Sequence, residues 1–237
     1  MACRDLQTAL RVILLACLGA VALGGCERAL APADSRGLQP LAIAKDAQRF
    51  RIVPGESRLV LLVYREGRMA RLGHNHVIST NQLQGEVYVA ARAQDSAAEL
   101  RFAVADLQVD EPDLRTEFGD DFPGSLDDSA IAGTRSNMLS PKQLDAEVWP
   151  DIVLRTASIS GAWPALTMDI QIALQGRVHR VQIPATVNVT GDGKLMATAD
   201  FPLLQTELGL EPFSVMLGAL RVRDQIDARL RISAIAD

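Results

Sequence analysis

Between residues 166 and 189 apolar and polar side chains alternate with a period of two. Leu166, Met168, Ile170, Ile172 and Leu174 interleave with Thr167, Asp169, Gln171 and Ala173; after Gln175-Gly176 the series resumes at Val181, Ile183, Ala185, Val187 and Val189. Successive side chains on a strand point to opposite faces, so each run has one apolar face and one mostly polar face. Two such runs joined by a Gly-containing turn predict a long antiparallel hairpin. A strand of about nine residues spans roughly 30 Å, longer than the usual five or six residues, and points to a tall barrel wall.

The rest of the chain reads as more of that wall. Arg49 to Ile52 starts the sheet, Pro54-Gly55 turns it, and Arg58 to Tyr64 is apolar on both faces, so a helix or loop is expected to cover its outer side. Leu83 to Ala91, Leu100 to Val104, Ile152 to Ile159 and Lys194 to Phe201 follow as strands. In the last, Leu220, Val222, Ile226, Ala228, Leu230 and Ile232 oppose Arg221, Arg223, Gln225, Asp227, Arg229 and Arg231, with Asp224 interrupting the apolar face. Gln108 to Pro123 is acidic and aperiodic: it reads as a solvated loop, and lacks the ordered ligand spacing of a calcium loop. Asp127 or Asp128 can cap a short helix ending near Leu139, with Ile131, Thr134 and Met138 on one side, a candidate lid or plug. The expected class is all-β: one antiparallel barrel over residues 48–235 with a short helix.

The amino terminus changes the setting. Arg4 and Arg11 precede an apolar run from Val12 to Leu23 and then Gly24, Gly25 and Cys26, the arrangement of an export signal. The run is about a dozen residues, short of the ~20 that a spanning helix needs. Leu23-Gly24-Gly25-Cys26 resembles a bacterial lipobox, which assigns residues 1–25 to a lipoprotein signal, Cys26 to acylation (a palmitate-type modification) and residues 26–47 to a flexible tether; the alternative is an ordinary signal with a chance cysteine. Glu27, in place of the Asp that marks inner-membrane retention in enteric bacteria, favours the outer membrane on its periplasmic side. An exported lipoprotein with only two Trp and two Tyr lacks the aromatic girdles of a membrane-spanning barrel, so the apolar faces are expected to turn inward.

Loss of Arg4, Asp5 and Arg11 with the signal takes the net charge from −5 to −6, which disfavours nucleic acid and anionic surfaces as partners. Cys3 and Cys17 leave with the signal and Cys26 is consumed by lipid, so no thiol remains for a disulfide, a metal or catalysis. His74 and His76, two apart on a strand, share a side and with His179 could chelate a metal; the plainer reading puts them in a turn or on the cavity rim, and no metal or cofactor is assigned. A buried Asp224 needs a partner, for which Arg135 is the candidate, the alternative being a strand end or bulge. No nucleophile elbow or phosphate loop is present, so no enzyme activity is expected.

Several motifs together resemble the YceI-like family of periplasmic proteins: Arg135 and Leu139, then Asp145, Trp149-Pro150 and Ile152, then the Leu174 to Gly176 turn, then Gly209 and Asp224. Ser136 and Met138 stand where the family usually has Asp and His, and Gln175 where it has His. The resemblance implies an eight-stranded lipocalin-like barrel that holds an isoprenoid quinone or a polyprenyl lipid. The cavity wall is then expected from Leu166, Met168, Ile170, Ile172, Val181, Ile183, Val187, Leu220, Val222, Ile226 and Leu230, and a polar rim from His74, His76, Arg135 and Asp224. The small residues Gly85, Ala185, Ala197, Ala199 and Ala228 favour open space inside. Two functions follow: a lipid-anchored carrier or store, as a monomer or a homodimer, for a long apolar ligand, or an accessory lipoprotein with a filled barrel that recruits a protein or metal through the His74/His76 turn. A filled or an open lumen separates them.

Overall fold

The computed structural model describes residues 37–237; the expected signal and Cys26 lie outside them. Twelve antiparallel strands form one sheet: β1 (Gln48–Ile52), β2 (Arg58–Glu66), β3 (His76–Thr80), β4 (Gln84–Val89), β5 (Ala97–Ala103), β6 (Gln108–Val109), β7 (Asp151–Ala162), β8 (Ala165–Leu174), β9 (Arg177–Val189), β10 (Lys194–Leu204), β11 (Ser214–Val215) and β12 (Leu220–Ala236). β1 bonds β4 on one side and β12 on the other, so the ring β1-β4-β5-β7-β8-β9-β10-β12 closes with eight strands. This is the expected all-β barrel.

The two ends of the barrel differ. β1 and β2 occupy one strand position along β12, kinked at Pro54-Gly55: β1 pairs with Ala234–Ala236 and β2 with Arg221–Arg231. β3 and β4 divide the next position in the same way. On the β2 half the sheet continues through β3 to β6 and has no ladder to β5 or β7 among the described residues. Helix α2 (Asp128–Leu139) stands against β6 at this gap. Asp127 caps it, its carboxylate accepting from the Ala130 N–H at 3.0 Å. Arg135, on the same helix, donates to the carbonyls of Ala105, at 2.7 Å, and of Leu107. Side chains, rather than a ladder, hold the helix at the gap.

The acidic stretch is not a solvated loop. It folds as β6, helix α1 (Pro112–Thr116) and a single 3-10 turn, and sends Leu114, Phe118 and Phe122 onto Val60, Leu62, Tyr64 and Val77. The apolar outer face of β2 demanded this cover; the density of carboxylates in the stretch hid three side chains spaced at four residues. Part of the expected tether is also ordered. Leu38 packs on Val153 and Ala173, the Gln39 N–H donates to Gln171 Oε1 at 3.0 Å, and Arg155 donates to the Gln39 carbonyl at 2.7 Å. Residues 38–39 therefore dock on the outside of β7 and β8.

At the β1 end Phe50, Leu83, Leu195 and Ala234 are fully buried, with Leu166, Val187 and Ile232 beside them. Gly85 is pressed against β5, where a Cβ would lie 2.0 Å from the Glu99 carbonyl oxygen, so its small size serves strand contact rather than open space.

The β8–β9 turn shows how distant segments lock together. Leu174 pairs with Arg177, and Gln175 and Gly176 both have positive φ, 49° and 68°, as a two-residue type I′ turn requires. The Trp149 ring lies over Gly176, where a Cβ would sit 2.3 Å from the indole. Gly176→Ala combines a left-handed backbone penalty with overpacking, about 3 kcal/mol together. For a domain of this size thermal unfolding followed by circular dichroism should move down by about 6–12 °C; an unchanged midpoint would contradict both contributions.

Candidate functional site

The barrel interior holds two chambers. The larger, about 260 Å³, lies on the β2 side and is lined by Leu59, Leu61 and Val63 of β2, Ile170, Ile172 and Leu174 of β8, Val181 and Ile183 of β9, Phe201 and Leu203 of β10, and Val222 and Ile226 of β12. The smaller, about 100 Å³, is lined by Met168, Ala185, Val187, Ala197, Ala199 and Leu230 among others. Leu154, Ile170 and Ile183 border both and form a waist between them. Alternation produces this wall directly, since each strand sends every second side chain inward.

Of the eleven wall residues expected from sequence, nine line a chamber. Leu166 does not: it is 4% exposed, packed in the core at the β1 end. Leu220 does not either: it lies against Gly73, where the next Cβ would meet its Cδ1 at 2.9 Å. Both follow the alternation, which fixes the face of a residue but not its height along the barrel. Ala185, Ala197 and Ala199 line the lower chamber, whereas Ala228 is buried among its neighbours.

The upper end of the large chamber is polar. His76, Thr134, Asn137, Gln143 and Gln205 join its wall there, with Phe213 at 37% exposure marking the way to solvent. Thr134, Asn137 and Met138 are presented by α2, so the helix forms part of the wall. Gln143 and Gln205 are already fixed, donating to the carbonyls of Glu211 and Arg223 at 2.9 and 2.8 Å.

The expected rim residues do not come together as a group. Only His76 lines the chamber; His74 is exposed, its ring centroid 6.3 Å from that of His76. Arg135 and Asp224 are not partners. Arg135 serves the Ala105 and Leu107 carbonyls, while Asp224 sits in a β-bulge of β12 between Val222 and Ile226. There its carboxylate accepts from the Thr206 N–H at 2.9 Å and the Thr206 hydroxyl at 2.7 Å. Hydrogen bonds from Thr206 hold its pKa below the ordinary value. The bulge turns the acid out of the apolar face, so no buried cation is needed. The histidines have separate partners: the His179 Nδ1 lies 3.0 Å from the Glu207 carbonyl, and His76 Nδ1 is 2.6 Å from Asp110. Among the described residues no three His, Cys, Asp or Glu side chains gather as a metal site.

A buried polar cluster was missed from sequence. The Asp110 and Arg115 side chains are 0% and 1% exposed and pair directly. Asp110 also accepts from the Val77 N–H at 2.9 Å and from His76. Arg115 donates to the carbonyls of Asn75 at 2.9 Å and Gly124 at 3.0 Å. Burial pushes the Asp110 carboxyl up, but hydrogen bonds from His76, Val77 and Arg115 outweigh it and hold the pKa below the usual range. Asp110 reaches this position with φ at +56°, a conformation that Asp tolerates better than most side chains. An isolated charge among the carboxylates of residues 108–123 carried no signal of its own; the demand of β2 for an outer cover was the available clue.

The fold and cavity together define an antiparallel barrel with an apolar interior and one polar end. No family model matches the sequence, and no curated protein does. Among solved structures, Burkholderia cenocepacia BcnA aligns over 77% of this chain and 98% of its own at 12% identity, with a TM-score of 0.55. A polyisoprenoid binding domain from Saccharophagus degradans, implicated in plant cell wall breakdown, aligns over 84% of this chain and 100% of its own at 9% identity, TM-score 0.54. A Campylobacter jejuni YCEI protein aligns over 68% of this chain and 84% of its own at 8% identity, TM-score 0.49. At these identities the first two likenesses establish the fold, which is the barrel that the YceI-like resemblance implied.

Asp110→Asn leaves Arg115 buried without its counter-charge and should destabilise the domain by about 3–5 kcal/mol, read from urea unfolding. Because the folded-state pKa of Asp110 is depressed, its contribution is complete above the unfolded value of about 3.9 and is lost as pH falls below it. The wild-type advantage over Asp110→Asn should therefore shrink in acid; a gap that stays constant from pH 7 to pH 3 would contradict this assignment.

Proposed function

We propose that this chain is a lipid-anchored binding protein of the bacterial envelope that holds a long apolar molecule of the isoprenoid class, a quinone or polyprenyl lipid, as carrier or store. The observation that carries the reading is the chambered lumen, apolar through its depth and polar at one end. The Saccharophagus neighbour, described as polyisoprenoid binding, supports the ligand class. The lipobox-like sequence ending at Cys26 supports anchoring on the periplasmic face of a membrane, the outer in preference to the inner. Binding rather than catalysis fits a wall made almost wholly of hydrocarbon side chains. The accessory alternative required a lumen closed by its own side chains, and a cavity of about 260 Å³ speaks against it.

Magnitudes favour a long guest. Each buried CH₂ contributes ~0.8 kcal/mol, so a five-carbon isoprene unit gains roughly 4 kcal/mol. Association costs roughly 4–15 kcal/mol, so one unit leaves little net affinity and about three or four are needed. The inward positions Val181 to Val187 span roughly 20 Å of strand, which gives such a chain continuous apolar contact.

Native mass spectrometry of the protein purified from its own membranes, followed by solvent extraction, tests the reading. A stoichiometric long-chain isoprenoid is the expected result; protein that is reproducibly empty and gains no thermal stability from added polyprenols would overturn it. Ile170→Phe, which narrows the waist, should reduce the bound lipid several-fold while leaving the far-ultraviolet spectrum unchanged.

A further inference from the structure

The polar end of the large chamber contains a group prepared for one kind of chemistry. Asp110 is held ionised in the interior, and an ionised carboxylate only accepts hydrogen bonds. The 2.6 Å contact from His76 Nδ1 therefore places a proton on Nδ1. Arg115 already matches the Asp110 charge. With Nδ1 protonated, the neutral ring carries a lone pair on Nε2. That nitrogen faces Thr134, which with His76 lines the chamber. The Thr134 hydroxyl is 3.5 Å away, at the outer limit of hydrogen bonding, and leaves the lone pair weakly used.

We propose that His76, fixed by Asp110 and Arg115, is a head-group site that accepts a hydrogen bond from a hydroxyl at the end of the guest, and so selects isoprenoid alcohols or hydroquinones over ethers, aldehydes and quinones with the same chain. This rests on the binding reading above. The selection follows from which ring nitrogen keeps its proton. A carbonyl or ether oxygen brings a second lone pair to Nε2 and gains nothing there, whereas a hydroxyl donates. Asn137, on α2 at the same end, is the residue whose amide can serve the guest oxygen in turn. Arg115 and Asp110 touch no guest and act as positioning residues, locking the tautomer and the ring plane.

The test compares three probes with one chain, farnesol, farnesyl methyl ether and farnesal, for binding to the purified full-length protein at pH 7.5. Farnesol should bind about 3–10-fold more tightly than either of the others, the worth of one hydrogen bond to a buried acceptor. In His76→Phe the ether should keep its affinity and the preference for farnesol should vanish. Equal affinities for all three in the wild-type protein, or a preference that survives in His76→Phe, would overturn the head-group assignment while leaving the apolar carrier intact. Failure of all three probes to bind would overturn the carrier reading, and this inference with it. If His76→Phe does not fold, the wild-type order decides: farnesal above farnesol would show that the amide donors, not Nε2, meet the guest.

Discussion

Backbone hydrogen bonding is the constraint on which this structure turns, because a barrel must give every strand a partner on both sides. Over the β1 half the ring of eight strands meets that requirement by itself. Over the β2 half the ladder stops at β6, and the ends of the gap are served by side chains: Arg135 takes the Ala105 and Leu107 carbonyls, and Arg115 takes those of Asn75 and Gly124. Two arginines thus complete at one end what strand pairing completes at the other. An interrupted wall leaves room for a chamber, and buried polar groups that satisfy one another keep the interruption from becoming a loose edge.

The chemistry of the chamber follows from the same division. Where the ring is closed, alternation buries Phe50, Leu83 and Leu195 and leaves only the smaller chamber. Where it is interrupted, the backbone of β3, β6 and α2 brings His76, Thr134 and Asn137 to the wall. Asp110 belongs to both arrangements. Its backbone N–H bonds to the Val77 carbonyl at 2.8 Å, extending the β3–β6 contact, and its carboxylate holds His76. One residue therefore ties the end of the sheet to the orientation of the imidazole.

How much of this was legible in the sequence depended on the range of the signal. Period-two alternation is local, and it located the Leu166–Val189 hairpin and the final strand and named most of the chamber wall. It fixes the inward face of a residue but not its level, which is why Leu166 and Leu220 fell outside the chambers. The pairing of Arg135 with Asp224 failed for a different reason. The alternative, a bulge, is what the chain forms at Asp224, and it removed the need for a counter-ion. The Asp110–Arg115 cluster was illegible because its members are hydrophilic residues in an acidic stretch, and only tertiary burial gives them meaning. Leu38 and Gln39 were assigned to a tether by composition alone, although their anchorage lies more than a hundred residues away at Val153 and Gln171.

The waist formed by Leu154, Ile170 and Ile183 gives the tube a direction. Above it lies a space of about 260 Å³ with hydrogen-bonding groups at its top; below it lies about 100 Å³ bounded by alanines and aliphatic side chains. Bulk fits above and taper below, so an unsymmetrical occupant is told head from foot before any polar contact is made.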